Sequence, residues 1–453
     1  MPEKLVVIGN GTAGASIAFA ARKADRAVEI TVLEREPYPT YSKCALPHVV
    51  EGVIENFEDI TVFSHQFYKR QKVDLVNGAE VTRIDPDAKK VVYQKDGAEH
   101  AADYDKLGLT TGGCTWQPEI DGDDANNIFK LRNIADGENI RRAALGAGSA
   151  VVNGASYIAC EIAEALLARG VDTTMIVRSR MMRTMIDADM SRLLAEHMMS
   201  KGVKVVFGDT ISKIIGGGNI RAVAAGDREI PCDILINATG VRSETALAKE
   251  IGIEIGTKGG IVVDGTMKTG NDDIYTAGDC AEDHFGLMGF PFVSFLGTVA
   301  TRQGIVAGNN MAGVESHVPK FYNAAVLKLL GMHFGSVGLT TDIAAENGLE
   351  VESLRVTHTT LPHYYPGGKD VIIKLLAHPE THKLLGAQVM AEETVPETIN
   401  TLSLAIQNEM TVSQITMADF CYAPPCADIW APASVAAQGL ERKSAAKARR
   451  RKK

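Results

Sequence analysis

Cys44 stands where a thiol can do covalent work. It lies in Thr40-Tyr-Ser-Lys-Cys-Ala-Leu-Pro-His48, beside Lys43 and at the start of an expected helix. A neighbouring cation and a helix start both lower a thiol's pKa, and the thiolate is the reactive form. The residues alone leave two readings open, a redox thiol and a buried structural cysteine. The other six cysteines, at positions 114, 160, 232, 280, 421 and 426, are scattered and make the total odd. With no signal peptide ahead of the first apolar run, they read as reduced thiols of a cytoplasmic protein rather than a disulfide framework. Cys160 on a helix and Cys280 after a Gly-Asp pair read as packing cysteines.

Two glycine-rich turns add a second chemistry, the binding of phosphates. In Gly9-Asn-Gly11-Thr-Ala-Gly14 the first glycine permits a tight turn, the second lets backbone approach a pyrophosphate, and the third lets helix pack on strand. Unpaired N–H groups and the dipole at the helix start favour the anion. Glu34, 25 residues after Gly9, ends the next strand, where a carboxylate accepts from a ribose hydroxyl. The design returns as Gly154-Ala-Ser156-Tyr157-Ile158-Ala159, with serine and alanine in place of the second and third glycines. Here the position matching Glu34 reads as Arg178, followed by Ser179 and Arg180. A cation there cannot accept from a hydroxyl but pairs with a 2′-phosphate, which favours NADPH over NADH. An arginine merely exposed at a strand end is the alternative.

Those turns need strands and helices to hold them. Leu5 to Gly9, Ala15 to Arg22 and Glu29 to Glu34 read as strand, helix, strand, and Ala150 to Val177 repeats the unit. Further buried-strand runs close at Thr110 to Gly113, at Ala238 to Gly240 and at Ile274 to Glu282. Beyond about Gly313 the pattern becomes mixed strand and helix, so a boundary is expected near Val314. A length of 453 residues is roughly three domains' worth. With 45% hydrophobic and 23% charged residues the composition is that of a soluble globular protein, and no apolar run approaches the ~18 residues of a membrane span. Net charge is −9, yet eight of the twelve residues from Arg442 to Lys453 are basic, leaving −17 on the rest, which argues against a nucleic-acid-binding body. The tail reads as a disordered solubilising end, or as a contact for an acidic lipid or partner surface.

On these motifs the chain resembles the single-cysteine branch of the pyridine nucleotide-disulfide oxidoreductases. That group holds coenzyme A disulfide reductases, persulfide or polysulfide reductases, and NADH oxidases and peroxidases. The resemblance runs from LVVIGNGTAG to YAPPCADIWAPASVAAQG and leaves out the basic tail. It implies an α/β fold with two Rossmann-like dinucleotide-binding domains, one for FAD and one for NAD(P)H, plus a C-terminal α+β dimerisation domain. The implied ranges are 1–112 with 241–313 for FAD, 113–240 for NAD(P)H, 314–440 for dimerisation, and 441–453 as a disordered basic tail. FAD contacts are implied at Gly9, Gly11, Gly14, Glu34, Arg35, the backbone of Val81, Thr111, Gly112 and Asp279. Coenzyme contacts are implied at Gly154, Ser156, Tyr157, Ile158, Arg178, Arg180 and Gly240.

The resemblance also makes Cys44 the thiol that alternates between thiolate and a mixed disulfide or sulfenic acid. Tyr364 and Tyr365 of YYPG and Tyr422 of YAPP are implied as proton donors to the leaving thiolate, and packing at a dimer interface is their other reading. Tyr365 and Tyr422 are the two expected to be catalytic, in a homodimer whose YAPP loop completes the partner's site. Arg22 and Lys23 match a basic pair that holds coenzyme A phosphates in some members. Three departures stand out. Thr12 occupies a position that is histidine in peroxidase and oxidase members, His48 replaces a frequent tyrosine, and Cys421 and Cys426 bracket YAPP. Cys426 is expected to act as a second, resolving thiol.

The expected activity is therefore NAD(P)H-dependent reduction of a small disulfide or persulfide, of the coenzyme A type, without a metal. Two alternatives remain, an NAD(P)H oxidase reducing oxygen, and a flavin electron-transfer component that docks a protein partner through its tail.

Overall fold

The apolar run Leu5 to Ile8 carries no charge, the pattern of a strand covered on both faces, and it forms the centre of the first sheet. The computed structural model describes residues 2–451, with side chains through residue 447. The chain groups into two compact units. One comprises Met1–Pro118, Phe129–Arg142 and Thr239–Phe321, and the other Glu119–Ile128, Ala143–Ala238 and Tyr322–Lys453.

In the first unit β1 (Lys4–Ile8) leads through α1 (Thr12–Ala24) to β2 (Glu29–Glu34). The two strands pair in parallel with Ile8 opposite Leu33. Five parallel strands follow the order Ile274–Thr276, Lys106–Leu109, β1, β2, Val73–Asn77. Both β1 and α1 therefore end or begin at the carboxyl edge of the sheet, where α/β proteins bind their ligands. The alanines of α1 let the helix Gly297–Met311 come close, for a side chain at Gly304 would meet Ala13 O at 2.5 Å.

The second unit repeats the design with β3 (Ser149–Asn153), α2 (Tyr157–Ala168) and β4 (Asp172–Val177), followed by α3 (Ala188–Ser200). Its parallel sheet runs Ile128–Phe129, Ile234–Asn237, β3, β4, Lys204–Phe207. The same unit holds an antiparallel sheet in the order Ala325–Leu329, Met332–Gly338, Leu384–Ala391, Asp370–Ala377, Glu352–Thr359. All eight residues of Leu384–Ala391 are buried, as a central strand covered on both faces requires. Helix Val395–Gln407 packs on one side, with Val395 and Ile399 against Gly335. The long helix α4 (Pro432–Arg451) meets Leu354 and Val356 at its Gly439.

Two expectations change here. Segment Phe129–Arg142, assigned to the coenzyme domain, folds with the first unit, because Arg132 pairs with Asp279 at 2.8 Å and Arg141 donates to Glu55 O at 3.0 Å. The tail expected to be disordered continues α4 as far as Arg451, while Lys452 and Lys453 lie outside the described residues. Its alanines, lysines and arginines are strong helix formers. Glu352 anchors it by bonding Ser444 Oγ and pairing with Lys447 Nζ at 2.9 Å, and Lys443 donates to Ser353 O at 2.7 Å. Among the described residues no helix is long and apolar enough to cross a membrane.

Candidate active site

The three glycines of the first turn meet three different demands. A Cβ on Gly9, whose φ is +95°, would lie 2.3 Å from Thr110 O, and one on Gly14 would lie 2.0 Å from Gly9 O. A Cβ on Gly11 would meet nothing within 4 Å. The first and third glycines thus serve the turn itself, whereas the second opens onto space at the start of α1, where a phosphate would sit. Glu34 fixes the turn from the side, its two oxygens accepting from Asn10 N at 2.6 Å and Glu36 N at 2.9 Å. Asn10 is 4% exposed; its Oδ1 accepts from Tyr68 OH at 2.6 Å, and its Nδ2 donor has no partner among the described residues. Burial raises the Tyr68 phenol to about 12, which keeps it a donor. The cleft here is lined by Asn10, Gly11, Glu34, Glu36, Tyr38, Tyr41 and Lys43. An orphaned donor, open space at Gly11 and a carboxylate at a strand end fit a dinucleotide such as FAD.

A second cluster gathers the Thr-Gly and Gly-Asp motifs. Thr111 Oγ1 donates to Glu244 O at 2.5 Å, and Ser243 Oγ donates to Asp279 O at 2.7 Å. Arg132, which no motif announced, donates to Asp279 Oδ2 at 2.8 Å and reaches beside Gly112 and Gly113. Nothing in the linear sequence marks it, because its partner lies 147 residues away. Val81 follows Ala79, whose N–H donates to Glu34 O at 2.9 Å, so its strand starts beside the end of β2. Arg35 is exposed.

Cys44 is exposed on the single turn Lys43–Ala45, which leads into the helix Leu46–Glu51. Backbone bonds define this turn, Ser42 N to Ile60 O at 2.9 Å and Ala45 N to Ser42 O at 3.1 Å. Beside it, Glu36 holds the Lys43 ammonium at 3.0 Å and also accepts from Tyr41 OH at 2.7 Å. His48 Nδ1 lies 3.4 Å from Glu51. Cys160, Cys232 and Cys280 are buried, and burial pushes their thiols up, that of Cys232 to about 12. Titration of the native protein with an aromatic disulfide at pH 8 is expected to leave these three unmodified. Modification of any of them before denaturation would contradict that burial.

The second turn matches the first with one correction. Gly154 N donates to Ile176 O at 3.0 Å as Gly9 N does to Leu33 O at 2.8 Å. Asn153 lies opposite Ile176 as Ile8 lies opposite Leu33. The residue matching Glu34 is therefore Val177, and Arg178 matches Arg35. The expected position, Arg178, is off by one, because the second connection is two residues shorter than the first. Ser156 caps α2, accepting from Ala159 N at 3.3 Å and donating to Ala238 O at 3.2 Å. The Tyr157 hydroxyl bonds Ser336 of the C-terminal sheet, and burial holds the phenol well above the ordinary value. Ile158 is half-buried, and Gly240 O accepts from Trp116 N at 3.0 Å. Arg178 and Ser179 are exposed, whereas Arg180 is paired with Asp342 at 2.7 Å.

Residues 3–304 match the pyridine nucleotide-disulphide oxidoreductase family, and residues 325–434 match its dimerisation domain. The chain belongs to this family. An NADH oxidase of Methanocaldococcus jannaschii is 35% identical over 445 residues, covering 97% of this chain and 99% of that protein. An NAD(P)H coenzyme A polysulfide/persulfide reductase of Pyrococcus horikoshii is 31% identical over 444 residues, covering 97% and 99%. A solved structure of an engineered water-forming NADPH oxidase bound to NADPH, a mutant of the Lactobacillus brevis NADH oxidase, superposes with a TM-score of 0.94 at 28% identity. It covers 98% of this chain and 100% of that one. The family binds FAD and NAD(P)H, and both turns described above fit those groups.

In this oxidoreductase the basic pair Arg22 and Lys23 is divided between two roles. Arg22 donates to Gln71 O at 3.0 Å, Arg26 O at 2.8 Å and Lys72 O at 2.8 Å, so its guanidinium ties down backbone, and Lys23 is the exposed member of the pair. Tyr364 bonds Tyr422, with the phenols 2.8 Å apart, and that bond raises the Tyr364 pKa. Tyr365 and the two cysteines flanking YAPP, Cys421 and Cys426, are exposed.

Proposed function

We propose that this oxidoreductase uses NADPH to reduce a disulfide or persulfide of the coenzyme A type through Cys44. The observation that carries the reading is the exposed Cys44 on a turn whose neighbours Tyr41 and Lys43 line the same cleft as Asn10, Gly11 and Glu34. Bound flavin supplies the two-electron relay between coenzyme and sulfur. Cys44 Sγ attacks one sulfur of the substrate, the substrate S–S bond breaks, and a mixed disulfide forms while the leaving thiolate takes a proton. Two electrons originating in the coenzyme then break the mixed disulfide and return the Cys44 thiolate with the second thiol product. Tyr422 and Tyr365 are the proposed proton donors, with Tyr364 holding Tyr422. Cys426, exposed on the loop that bears Tyr422, is a proposed relay thiol, to be tested as Cys426→Ser. Lys23 is the proposed contact for coenzyme A phosphate.

The preference for NADPH has its own support. In the engineered oxidase aspartate, alanine and methionine at three consecutive positions became alanine, arginine and serine, and a glycine 18 residues earlier became alanine. This chain reads Val177-Arg178-Ser179, with Ala159 the same 18 residues ahead of Val177. The match of residues 325–434 to a dimerisation domain, and the exposed apolar side chains Tyr364, Tyr365, Tyr422, Ile429 and Trp430 within them, support a homodimer. Cysteines that form no disulfide are consistent with a cytoplasmic enzyme.

Identity to NADH oxidases favours oxygen reduction as a second reading. Thr12 speaks against it, because a hydroxyl offers no acid/base group comparable to imidazole. The protein-docking alternative weakens because Lys443 and Lys447 are engaged within the chain. The test is anaerobic oxidation of NADPH with and without coenzyme A disulfide. Turnover that requires the disulfide supports reduction of sulfur; turnover that appears only on admitting oxygen overturns it in favour of the oxidase.

A further inference from the structure

The ten residues from Arg178 to Asp187 connect β4 to α3 and carry three arginines, two of them exposed and one not. Arg178 and Arg183 are exposed, while Arg180 turns inward. Its Nη2 donates to Arg183 O at 2.9 Å and Ile186 O at 3.4 Å, and its Nη1 pairs with Asp342 Oδ2 at 2.7 Å. One guanidinium thus closes the loop on its own carbonyls and ties it to the helix Thr341–Glu346. The far end of the loop is held by the same helix. Asp187, 1% exposed, accepts from Thr341 N at 2.8 Å and Thr341 Oγ1 at 2.9 Å, and pairs with the buried Lys374 at 2.8 Å. Asp187 N donates to Gln388 Oε1 at 2.8 Å.

Between these anchors the loop bends back onto the second glycine turn. Met182 N donates to Ala155 O at 2.8 Å, and Met182 takes a φ of +48°, a left-handed conformation that costs a non-glycine residue energy and persists only when its surroundings enforce it. Met181 and Met182 are buried, so the loop has an apolar root as well. Its conformation is therefore dictated jointly by the glycine turn and by residues of the C-terminal part of the chain.

We propose that Arg180, held by Asp342, is a positioning residue for coenzyme selectivity: it braces the loop so that Arg178 and Arg183, and not Arg180, face the 2′-phosphate of NADPH. The inference rests on the NADPH preference proposed above. It assigns Arg183 as a second phosphate ligand. In the engineered oxidase a proline five residues after the new serine became arginine; at that spacing this chain has Thr184, with Arg183 immediately before it. It also gives a residue of the C-terminal region, Asp342, a part in choosing the coenzyme without touching it.

The test compares kcat and KM for NADPH and NADH in the FAD-loaded wild type, Asp342→Asn, Asp342→Glu, Arg180→Lys and Arg178→Ala. Asp342→Asn and Arg180→Lys, which loosen the brace, are expected to raise KM for NADPH about three- to tenfold, with kcat and KM for NADH unchanged. Asp342→Glu, which keeps the carboxylate, should restore most of the loss. If Arg180 were itself the phosphate ligand, freeing it by Asp342→Asn would leave or improve NADPH binding, which overturns the inference. Equal weakening of both coenzymes would make the brace a general structural one, and overturns it too. Arg178→Ala separates the levels. An unchanged preference in that variant removes the NADPH reading and this inference with it, whereas a lost preference beside a neutral Asp342→Asn sinks the brace alone.

Discussion

Replacing Cys44 by serine is expected to abolish reduction of coenzyme A disulfide, a loss of about a thousandfold or more in kcat, while flavin content stays at the wild-type level. A serine hydroxyl is not ionised near neutral pH and cannot exchange with a disulfide, so the covalent step has no substitute. The turn that presents residue 44 is built from backbone bonds of Ser42, Ala45 and Ile60, none of which involves the thiol. The cleft of the first glycine turn is formed by Asn10, Gly11 and Glu34, again without Cys44. The variant should therefore fold and bind FAD, and its oxygen-dependent NADPH oxidation should survive. Anaerobic release of coenzyme A thiol, read with a chromogenic disulfide after quenching, measures the effect. Undiminished release would remove Cys44 from the mechanism, and loss of flavin would mean that the residue serves the fold.

The glycine turns were legible because their constraints are local. Gly9 takes a φ of +95° and Gly14 has no room for a Cβ against Gly9 O of the same turn, so the motif and the geometry are one statement. The repeat was legible for the same reason, since two buried strands flanking an alanine-rich helix admit few other arrangements. Where long cations point was not legible. Arg22, Lys43 and Arg180 all read as groups facing a ligand or the thiol, and each is claimed elsewhere, by the carbonyls of Gln71 and Lys72, by Glu36, and by Asp342. A flexible side chain several atoms long finds its partner in tertiary space, which motif spacing does not encode. Arg132 escaped notice for the converse reason, because its function depends on Asp279, far along the chain. Charge alone does not predict the helix of the tail. Its helix propensity and the anchoring carboxylate of Glu352 outweigh the repulsion of its basic residues.

Arg178→Ala is expected to lower kcat/KM for NADPH about ten- to a hundredfold and to leave NADH within about a factor of two. The range follows from a charge-assisted hydrogen bond to phosphate of about 1.5–3 kcal/mol, with about 1.4 kcal/mol per tenfold. NADH has a hydroxyl where NADPH has the phosphate, so it does not feel the loss. The strand register extends the prediction. Val177 matches Glu34, whose carboxylate in the first unit is held by the N–H groups of Asn10 and Glu36. The equivalent backbone positions of the second unit are Ala155 and Ser179. Val177→Glu combined with Arg178→Ala should therefore rebuild an acceptor for a ribose hydroxyl and turn the preference to NADH, with kcat for the favoured coenzyme near wild type. Raised salt should weaken NADPH binding in the wild type more than in either variant, because both variants lose the Arg178 cation opposite the dianion. Equal losses with both coenzymes in Arg178→Ala would assign the arginine to the loop's structure and return the choice of coenzyme to other residues.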